Sequence, residues 1–559
     1  MKELKQIKIY CENKEVEKNY PIGTTLLEIL EKEKPKTKYP ILGAMLNNSL
    51  KELDYAIYKP KRVRFIDYTH PDGKRMYMRS LSFILFKAVR DMFPEAKLKI
   101  KHSVSNGFYC KLEGIDEESN YKDITAQLKL EMQKTVAADF SFNREEIPTE
   151  DAIKIFEEYK LYDKCELIKT RQQFYSSVYQ MDGVVNYFYG YLVPSTSYIQ
   201  VFDLLAYHDG MLLLPPKTEN PNELEEVINQ PKLFEAFSEF KDWVNIIGIP
   251  NVGQLNTATQ EKKVGQVIKI SEALQEKKIA SIAERVGKRR QDLKLILISG
   301  PSSSGKTTFA KRLSIQLNVI GIDPIVLSMD NYFVERELTP KDENGELDFE
   351  NPHALDIKLF NNNLLDLFDG KEIDLPKFSF ATGKKFYDGS KLKLKENSIL
   401  LVEGIHGLNP MLSEMIPNNR KFKIYVSALT PLSIDSTNRI PTTDNRLIRR
   451  IVRDHNYRNY SALDTLQRWA SVRNGEETHI FPFQEEADVM FNTALLYELG
   501  VLKIWAEPIL RAVPPVVPEY SEARRLLKFL SYIKPIFTKE IPPTSILREF
   551  LDGSSFSYS

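Results

Sequence analysis

Few cysteines, few tryptophans and no surplus of either charge characterise this sequence of 559 residues. The 3 Cys are far apart and form no Cys-x-x-Cys pair, which excludes a disulfide framework and a thiolate zinc site. The 77 basic and 77 acidic residues cancel, so the long-range field of a general nucleic-acid or anionic-membrane binder is missing. No run of about 18 apolar residues occurs, and we therefore expect a cytoplasmic protein without a membrane span.

The remaining composition is typical of a soluble protein with several domains. Hydrophobic residues make up 42% of the chain, with 27 Tyr and 30 Phe, and the length corresponds to roughly three to four domains. We predict α+β folds in the first half and an α/β fold in the second half. The predicted segments are a small α+β domain at 1–69, a second α+β domain at 70–216, a helical connector at 217–291, an α/β domain at 292–500 and a helical extension at 501–559.

The local pattern differs between the two halves. In the first 69 residues short strands such as IKIYCEN surround a helix, LLEILEKEK, that Thr24 or Thr25 can cap. The runs YFYGYLV and YIQVFDLLAY are β-like, and apolar spacing between Val264 and Val286 predicts an amphipathic helix. From Leu293 onward, continuous apolar runs alternate with helices and indicate a parallel sheet covered on both faces: LKLILISG, PIVLSMD, SILLVEG and KFKIYVSA.

A phosphate-binding loop directly follows the first of these strands. The segment GPSSSGKT at 300–307 matches G-x-x-x-x-G-K-[ST] and precedes a predicted helix from Thr308 to Leu317. In such a loop the backbone N–H groups and the helix N-terminus bind phosphate oxygens, Lys306 reaches the terminal phosphates and Thr307 ligates Mg²⁺. The candidate nucleotide-binding residues are Gly300, Ser302, Ser303, Ser304, Gly305, Lys306, Thr307 and Thr308.

Two carboxylates follow later apolar strands at the edge where open α/β sheets bind ligands. Asp330 ends PIVLSMD and Glu403 ends SILLVEG. Mg²⁺ prefers oxygen ligands and keeps several waters, so Thr307, Asp330 and Glu403 are candidate metal ligands. In phosphoryl transfer to a hydroxyl, an aspartate accepts the proton of the acceptor, and Asp330 is the candidate. The alternative is that each carboxylate only caps a strand end.

Four arginines recur at i, i+3, i+4 and i+7 in DNRLIRRIVRD: Arg446, Arg449, Arg450 and Arg453. This spacing places them on one helix face, where like charges repel unless an anion lies against them. A polyphosphate is the expected counter-charge, because guanidinium groups bind phosphate oxygens with two donors and can cover transition-state charge. A solvated face beside Asp444 and Asp454 is the alternative.

Residues 293–500 resemble the uridine kinase and phosphoribulokinase family of P-loop kinases, through ISGPSSSGKTT, SMDNYF, LDFENPHALD, LLVEGIHGL and RLIRRIVRD. The resemblance implies a P-loop NTPase fold, ATP and Mg²⁺ held by Lys306 and Thr307, Asp330 as base, and Glu403 as a further metal ligand. It also implies that Arg449, Arg450 or Arg453 contacts phosphate from a lid.

The same resemblance implies acceptor contacts. Glu350 falls where the family has an acidic residue for the ribose hydroxyls, Phe378 falls at the aromatic that contacts the base, and Tyr332 and Arg446 are further candidate substrate-binding residues. The family's base-reading histidine aligns with Gly383. A lost hydrogen-bond donor removes strong discrimination between analogues, so the base and the acceptor stay open.

The first 216 residues resemble threonyl-tRNA synthetase. Residues 1–69 look like its TGS domain, which implies a ubiquitin-like β-grasp fold, and residues 70–216 look like its editing-type domain. Alignment through Phe93-Pro94 and Val193-Pro194 puts four residues without metal-binding or general-base chemistry at the reactive positions: Arg79, Phe83, Phe188 and Leu192. We therefore do not expect editing hydrolysis.

The sequence thus predicts an ATP-dependent nucleoside kinase that phosphorylates the 5′-hydroxyl of uridine or a related nucleoside. One alternative is a P-loop kinase acting on another polyol or a sugar phosphate. A second alternative is a regulatory protein that binds RNA or tRNA and uses the P-loop as a nucleotide switch. We expect a small-molecule partner and no membrane partner, while RNA binding and a homo-oligomer stay open.

Overall fold

The computed structural model describes residues 6–116, 120–342, 345–379 and 382–558. Among them, no helix combines the length and the apolar character needed to cross a bilayer. The first elements form a five-stranded sheet with the order β2-β1-β5-β3-β4 and one helix, the arrangement of a ubiquitin-like β-grasp. Thr25 caps α1 through a capping box with Glu28. The elements are β1 Gln6–Cys11, β2 Val16–Pro21, α1 Leu26–Glu33, β3 Gly43–Leu46, β4 Leu50–Lys51 and β5 Lys61–Ile66.

A second α+β region follows, with one four-stranded and one three-stranded antiparallel sheet in the orders β11-β12-β7-β6 and β10-β9-β8. Its elements are α2 Pro71–Met92, β6 Lys97–Val104, β7 Gly107–Glu113, α3 Tyr121–Ala137, β8 Asn143–Pro148, α4 Thr149–Glu158, α5 Tyr162–Arg171, β9 Tyr175–Met181, β10 Val184–Asn186, β11 Asp203–Tyr207 and β12 Gly210–Leu214.

One of the two β-like runs predicted in this region is not a strand. Residues 187–193 have no regular structure. Their aromatic side chains pack instead against the C-terminal part of the chain, with the rings of Tyr187 and Tyr189 each 6.3 Å from the ring of Tyr532. The alternating aromatic pattern therefore reflects packing between distant segments rather than a sheet.

Three connector helices lead to the second half: α6 Pro231–Ile247, α7 Val252–Gln260 and α8 Val264–Gly287. The predicted amphipathic helix is α8, and its apolar face is buried through residues that include Val267, Ile268, Ile279, Ile282 and Val286. This face packs on the core beneath the sheet of the second half.

A five-stranded parallel sheet with the order β14-β19-β13-β20-β21 forms the centre of the second half. Helices cover both faces, as the apolar runs predicted. The fifth strand, only four residues long, was too short to be recognised from periodicity. The elements are β13 Leu295–Ser299, α9 Lys306–Val319, β14 Asp323–Ser328, α10 Ile357–Phe368, β15 Ile373–Asp374, β16 Lys377–Ser379, β17 Lys384–Phe386, β18 Lys391–Leu392, β19 Ser398–Glu403, β20 Lys421–Ser427, α11 Thr442–Arg458, α12 Ala462–His479, β21 Val489–Asn492, α13 Glu498–Arg511 and α14 Tyr520–Leu530.

The two halves share a hydrophobic core and a buried ion pair. Lys164 on α5 donates to Asp435, which precedes α11, at 2.8 Å, and neither side chain has any solvent exposure. The Lys164 ammonium also donates to Thr437 Oγ1. One continuous apolar cluster joins the second α+β region to α11, α13 and α14.

Candidate active site

The phosphate-binding loop lies between β13 and α9, as the motif predicts. Its first glycine approaches a neighbouring strand so closely that a Cβ atom at Gly300 would stand 1.9 Å from the carbonyl oxygen of Val426. Gly305 adopts a left-handed conformation with φ +83°, which L side chains rarely adopt. Both glycines are therefore required by the shape of the loop.

Several polar groups inside the loop are suited to binding a polyanion. The hydroxyls of Ser303 and Ser304 are buried and have no hydrogen-bond partner among the described residues. Lys306 is buried, and its ammonium donates to the carbonyl of Pro301 at 3.1 Å. Burial lowers the pKa of Lys306, opposed by the nearby charges of Glu403 and Asp330. Unpaired buried donors in a glycine-containing loop fit the phosphates of a nucleotide.

The two predicted carboxylates come together beside Lys306. Glu403, at the end of β19, is buried and accepts a hydrogen bond from Ser328 Oγ at 2.8 Å. Burial and the negative charge of Asp330 raise the pKa of Glu403 to about 7. Asp330 follows β14, and its backbone N–H donates to the same Ser328 hydroxyl at 3.4 Å.

This donor set fits Mg²⁺. A cation would relieve the repulsion between Asp330 and Glu403, and Thr307 adds a hydroxyl from the start of α9. Within the described residues, no group of three or more His, Cys, Asp or Glu side chains could by itself hold a metal ion. The protein's oxygen ligands here are thus one hydroxyl and two carboxylates, to which a bound nucleotide would add its phosphates.

Two of the four arginines of α11 are fully buried and paired with glutamates. Arg446 binds the carboxylate of Glu476 and donates to the carbonyl of Ser302 at 3.0 Å. Arg449, with no solvent exposure, binds the carboxylate of Glu498. Both guanidinium groups therefore lie directly behind the phosphate loop, where protein carboxylates supply the counter-charge expected from a polyphosphate.

The other two arginines are slightly exposed to solvent. Arg450 donates to Ser302 Oγ at 2.9 Å, and the exposed fraction of its side chain is 12%. Arg453 donates to Asp454 at 2.7 Å and is 14% exposed. The carboxylate of Asp454 also lies 3.3 Å from Arg450. The arginine face of α11 is therefore largely buried, and protein carboxylates supply counter-charge to it.

The predicted acceptor residues have different surroundings. Glu350 is half-buried, and burial raises its pKa to about 7, opposed by the charge of Arg450. The Phe378 ring lies 5.5 Å from the ring of Phe333. Tyr332 is fully buried, and its hydroxyl accepts a hydrogen bond from Asn363 at 3.1 Å. The structure thus places Tyr332 in the core beneath this region.

Gly383, where the resemblance implies a histidine, has no space for a side chain. Its φ is +69°, and a Cβ atom there would stand 2.7 Å from Nε of Arg336. The Arg336 backbone N–H also donates to the Gly383 carbonyl at 2.9 Å. An arginine side chain therefore occupies the surroundings of the missing histidine.

Carboxylates from distant segments, which no sequence pattern indicates, bind the loop and the start of α9. Glu549 accepts from the backbone N–H and the hydroxyl of Thr308 at 3.1 and 2.8 Å, and Tyr558 lies 2.9 Å from the same hydroxyl. Glu476 accepts from the backbone N–H of Ser302 at 3.1 Å. No local motif marks these residues, since 241 positions separate Thr308 from Glu549.

The loop, the parallel strand order and the paired carboxylates define a P-loop kinase domain. Residues 295–495 match the family model "Phosphoribulokinase / Uridine kinase family", and this segment of the chain is a domain of that family. The part of the sequence that resembles the family and the part that matches its model therefore nearly coincide.

The N-terminal region is similar to threonine–tRNA ligases. The chain is 30% identical over 194 residues to the ligase of Carboxydothermus hydrogenoformans, which covers 34% of this chain and 30% of the ligase. It is 28% identical over 247 residues to the ligase of Clostridium kluyveri, and this match covers 43% of this chain and 37% of the ligase. The chain therefore spans about a third of the length of these curated relatives.

Similar solved structures include two kinases. One is the structure of a possible uridine kinase from Bacillus stearothermophilus, with 21% identity, coverage of 36% of this chain and 89% of that chain, and a TM-score of 0.23. The other is a D-glycerate 3-kinase from Cryptococcus neoformans, with 12% identity, coverage of 48% and 89%, and a TM-score of 0.21.

Proposed function

We propose that this protein is a cytoplasmic kinase that transfers the γ-phosphoryl group of Mg-ATP to a hydroxyl of a nucleoside-like small molecule, the 5′-hydroxyl of uridine or a related nucleoside. The observation that carries the proposal is the convergence of Asp330 and Glu403 on Lys306 at a loop with unpaired buried hydroxyls. A domain of the phosphoribulokinase and uridine kinase family at 295–495 supports the same conclusion.

Different residues of the chain have different roles in the phosphoryl transfer. Asp330 accepts the proton of the acceptor hydroxyl as its oxygen bonds to the γ-phosphorus, and the bond to the β–γ bridging oxygen breaks to release ADP. Lys306 and the loop N–H groups bind the phosphates, while Thr307 and Glu403 would hold Mg²⁺ together with Asp330. When bound, Mg²⁺ neutralises charge on the phosphate oxygens. Arg450 and Arg453, the two partly exposed members of the four, are the candidates for contacts to the moving phosphoryl group.

The acceptor is held by residues across the loop. Glu350 would accept hydrogen bonds from the ribose hydroxyls, and Phe378 would stack on the base. Arg336, which lies against Gly383, places a guanidinium where the resemblance implies a histidine. The base is therefore the least determined part of the acceptor, and another polyol or a sugar phosphate is the alternative acceptor class.

An acceptor screen with purified protein tests the proposal. ADP release is measured with Mg-ATP and uridine, cytidine, pentose phosphates, glycerate or inositol, with Lys306→Ala as the blank. Asp330→Asn should lower the acceptor-stimulated rate by about 10²–10⁴-fold and leave ATP binding nearly intact. Asp323→Asn, at the opposite end of the same strand, is the matched control and should turn over normally. Wild-type turnover by Asp330→Asn would remove the proton-acceptor role.

Binding of tRNA by the first 216 residues is a second candidate function. The similarity to threonine–tRNA ligases favours it, whereas the balanced charge of the chain does not. A filter-binding assay with tRNA over a range of salt concentrations tests it, because displaced counterions give a characteristic slope. If the amount of tRNA retained on the filter did not depend on salt, binding through phosphate contacts would be contradicted.

A further inference from the structure

Five basic side chains outside the phosphate loop cluster around tyrosine rings, and we refer to this cluster as the cationic cleft. They come from five separate elements of the first half and the C-terminal extension. Lys528 is exposed to solvent and the other four are half-buried. The members are Lys51 on β4, Arg79 on α2, Arg144 on β8, Arg171 on α5 and Lys528 on α14.

Tyrosine rings line the cationic cleft. The Arg79 guanidinium lies 4.8 Å from the ring centroid of Tyr189, and the Arg171 guanidinium lies 4.0 Å from that of Tyr532. Three cations surround the ring of Tyr191, at 5.4 Å for Arg144, 5.5 Å for Lys528 and 5.9 Å for Lys51. The cleft is thus both positively charged and aromatic.

The backbone is shaped to hold one of these cations. A Cβ atom at Gly190 would stand 2.2 Å from Cζ of Arg79, so only a glycine lets the guanidinium lie at this place. Arg79 also donates to the carbonyl of Tyr191 at 3.4 Å. The guanidinium is therefore positioned by the chain rather than free on the surface.

Most of this charge has no protein counter-charge. Arg144 pairs with Glu52 and Glu146, while no ion pair to the other four members occurs among the described residues. The hydrogen bonding of Arg171 is also incomplete. Its Nε atom is buried and lacks a hydrogen-bond partner in the described parts of the chain. When all five are protonated, as an anionic ligand would favour, five cations against two carboxylates leave an excess of three positive charges.

Desolvation and the clustering of these basic side chains lower the pKa of one of them, Lys528. Although Lys528 reaches solvent, the surrounding protein desolvates its ammonium, and the charges of Arg79, Arg144 and Arg171 act in the same direction, so that the pKa of Lys528 falls to about 7. Like charges gathered from separate elements repel one another unless an anion lies between them. An anionic ligand would remove this repulsion.

We propose that the cationic cleft is a second nucleotide site, which binds a nucleotide carrying at least two phosphates. Guanidinium groups bind phosphate oxygens with two donors, and the excess of three positive charges matches a nucleoside diphosphate. The half-buried rings of Tyr189 and Tyr191 offer surfaces on which a base can stack. None of the five residues belongs to the proposed kinase site, so this site goes beyond the proposed function.

Binding stoichiometry of the full chain tests this site. In titration calorimetry with ADP, the wild type should bind two equivalents and the double variant Arg79→Gln/Lys528→Gln should bind one. Lys306→Ala should retain the equivalent that belongs to the cleft. Lys122→Gln, an exposed lysine on α3, is the matched control and should bind two. The double variant should keep the wild-type turnover, which separates this test from that of the proposed kinase activity.

Two further measurements distinguish loss of the second site from misfolding of the variant and from binding of a different ligand. Lys528→Gln alone changes an exposed side chain and should weaken the second equivalent about tenfold or more, with an unchanged thermal midpoint. Pyrophosphate should compete for the second equivalent if the phosphates carry the binding. A single equivalent in the wild type, or two equivalents in both cleft variants, would overturn the proposal. Loss of tRNA binding in the double variant without a second ADP site would identify RNA as the ligand instead.

Discussion

Replacing Arg449 by methionine should lower the stability of the protein rather than only slow phosphoryl transfer. Arg449 has no solvent exposure, and its partner Glu498 is only 2% exposed. Removing one member leaves a buried, unpaired carboxylate, which costs about 3–5 kcal/mol. For a folding unit of about 200 residues, each kcal/mol corresponds to roughly 2–4 °C, so the thermal midpoint should fall by about 6–20 °C.

Thermal denaturation followed by circular dichroism measures this effect, and two variants serve as comparisons. Arg449→Met/Glu498→Gln removes both charges and should recover part of the lost midpoint. Arg450→Met removes a less buried guanidinium that donates to Ser302 Oγ, and it should act mainly on turnover. If Arg449→Met melted within about 2 °C of the wild type while its turnover fell, Arg449 would be a phosphate-contacting group and the structural reasoning would be refuted.

Two more predictions concern single glutamates of the kinase site. The pKa of Glu350 is raised from 4.5 to about 7, so the folded state favours its protonated form and loses stability as the pH rises from 4.5 through 7. Glu350→Gln should therefore gain about 2–3 kcal/mol relative to the wild type between pH 4.5 and pH 8, as measured by urea unfolding; a difference that does not change with pH would contradict this. Glu549→Gln should bind Mg-ATP several-fold more tightly, because the carboxylate occupies donors of Thr308 and repels phosphates. Calorimetry measures that affinity, and weaker binding by the variant would show that Glu549 supports the nucleotide site.

The parts of the site that depend on short stretches of sequence could be predicted. A strand, a glycine-containing loop and a helix follow one another between Leu295 and Val319, and the motif itself indicates that order. Because the carboxyl ends of parallel strands meet at one edge, Asp330 and Glu403 could also be placed beside Lys306 from their positions alone.

The partners of buried charges could not be predicted, because they come from distant segments. The repulsion among the α11 arginines indicated a missing anion, and a polyphosphate was the expected one. The structure supplies Glu476 and Glu498 for two of the arginines, from positions 30 and 49 residues further along the chain. Charge spacing on a helix shows that counter-charge is needed, but not where in the sequence it is found.

The buried pair of Lys164 and Asp435 makes the two halves dependent on each other for folding. A chain shortened to begin at the connector would lose this pair and would expose to water the apolar side chains of α11, α13 and α14 that pack against the first half, and each Å² of apolar surface exposed costs about 25 cal/mol. The ligase-like region thus stabilises the second half, whatever ligand it binds, and we expect the shortened chain to unfold at a lower temperature than the whole protein.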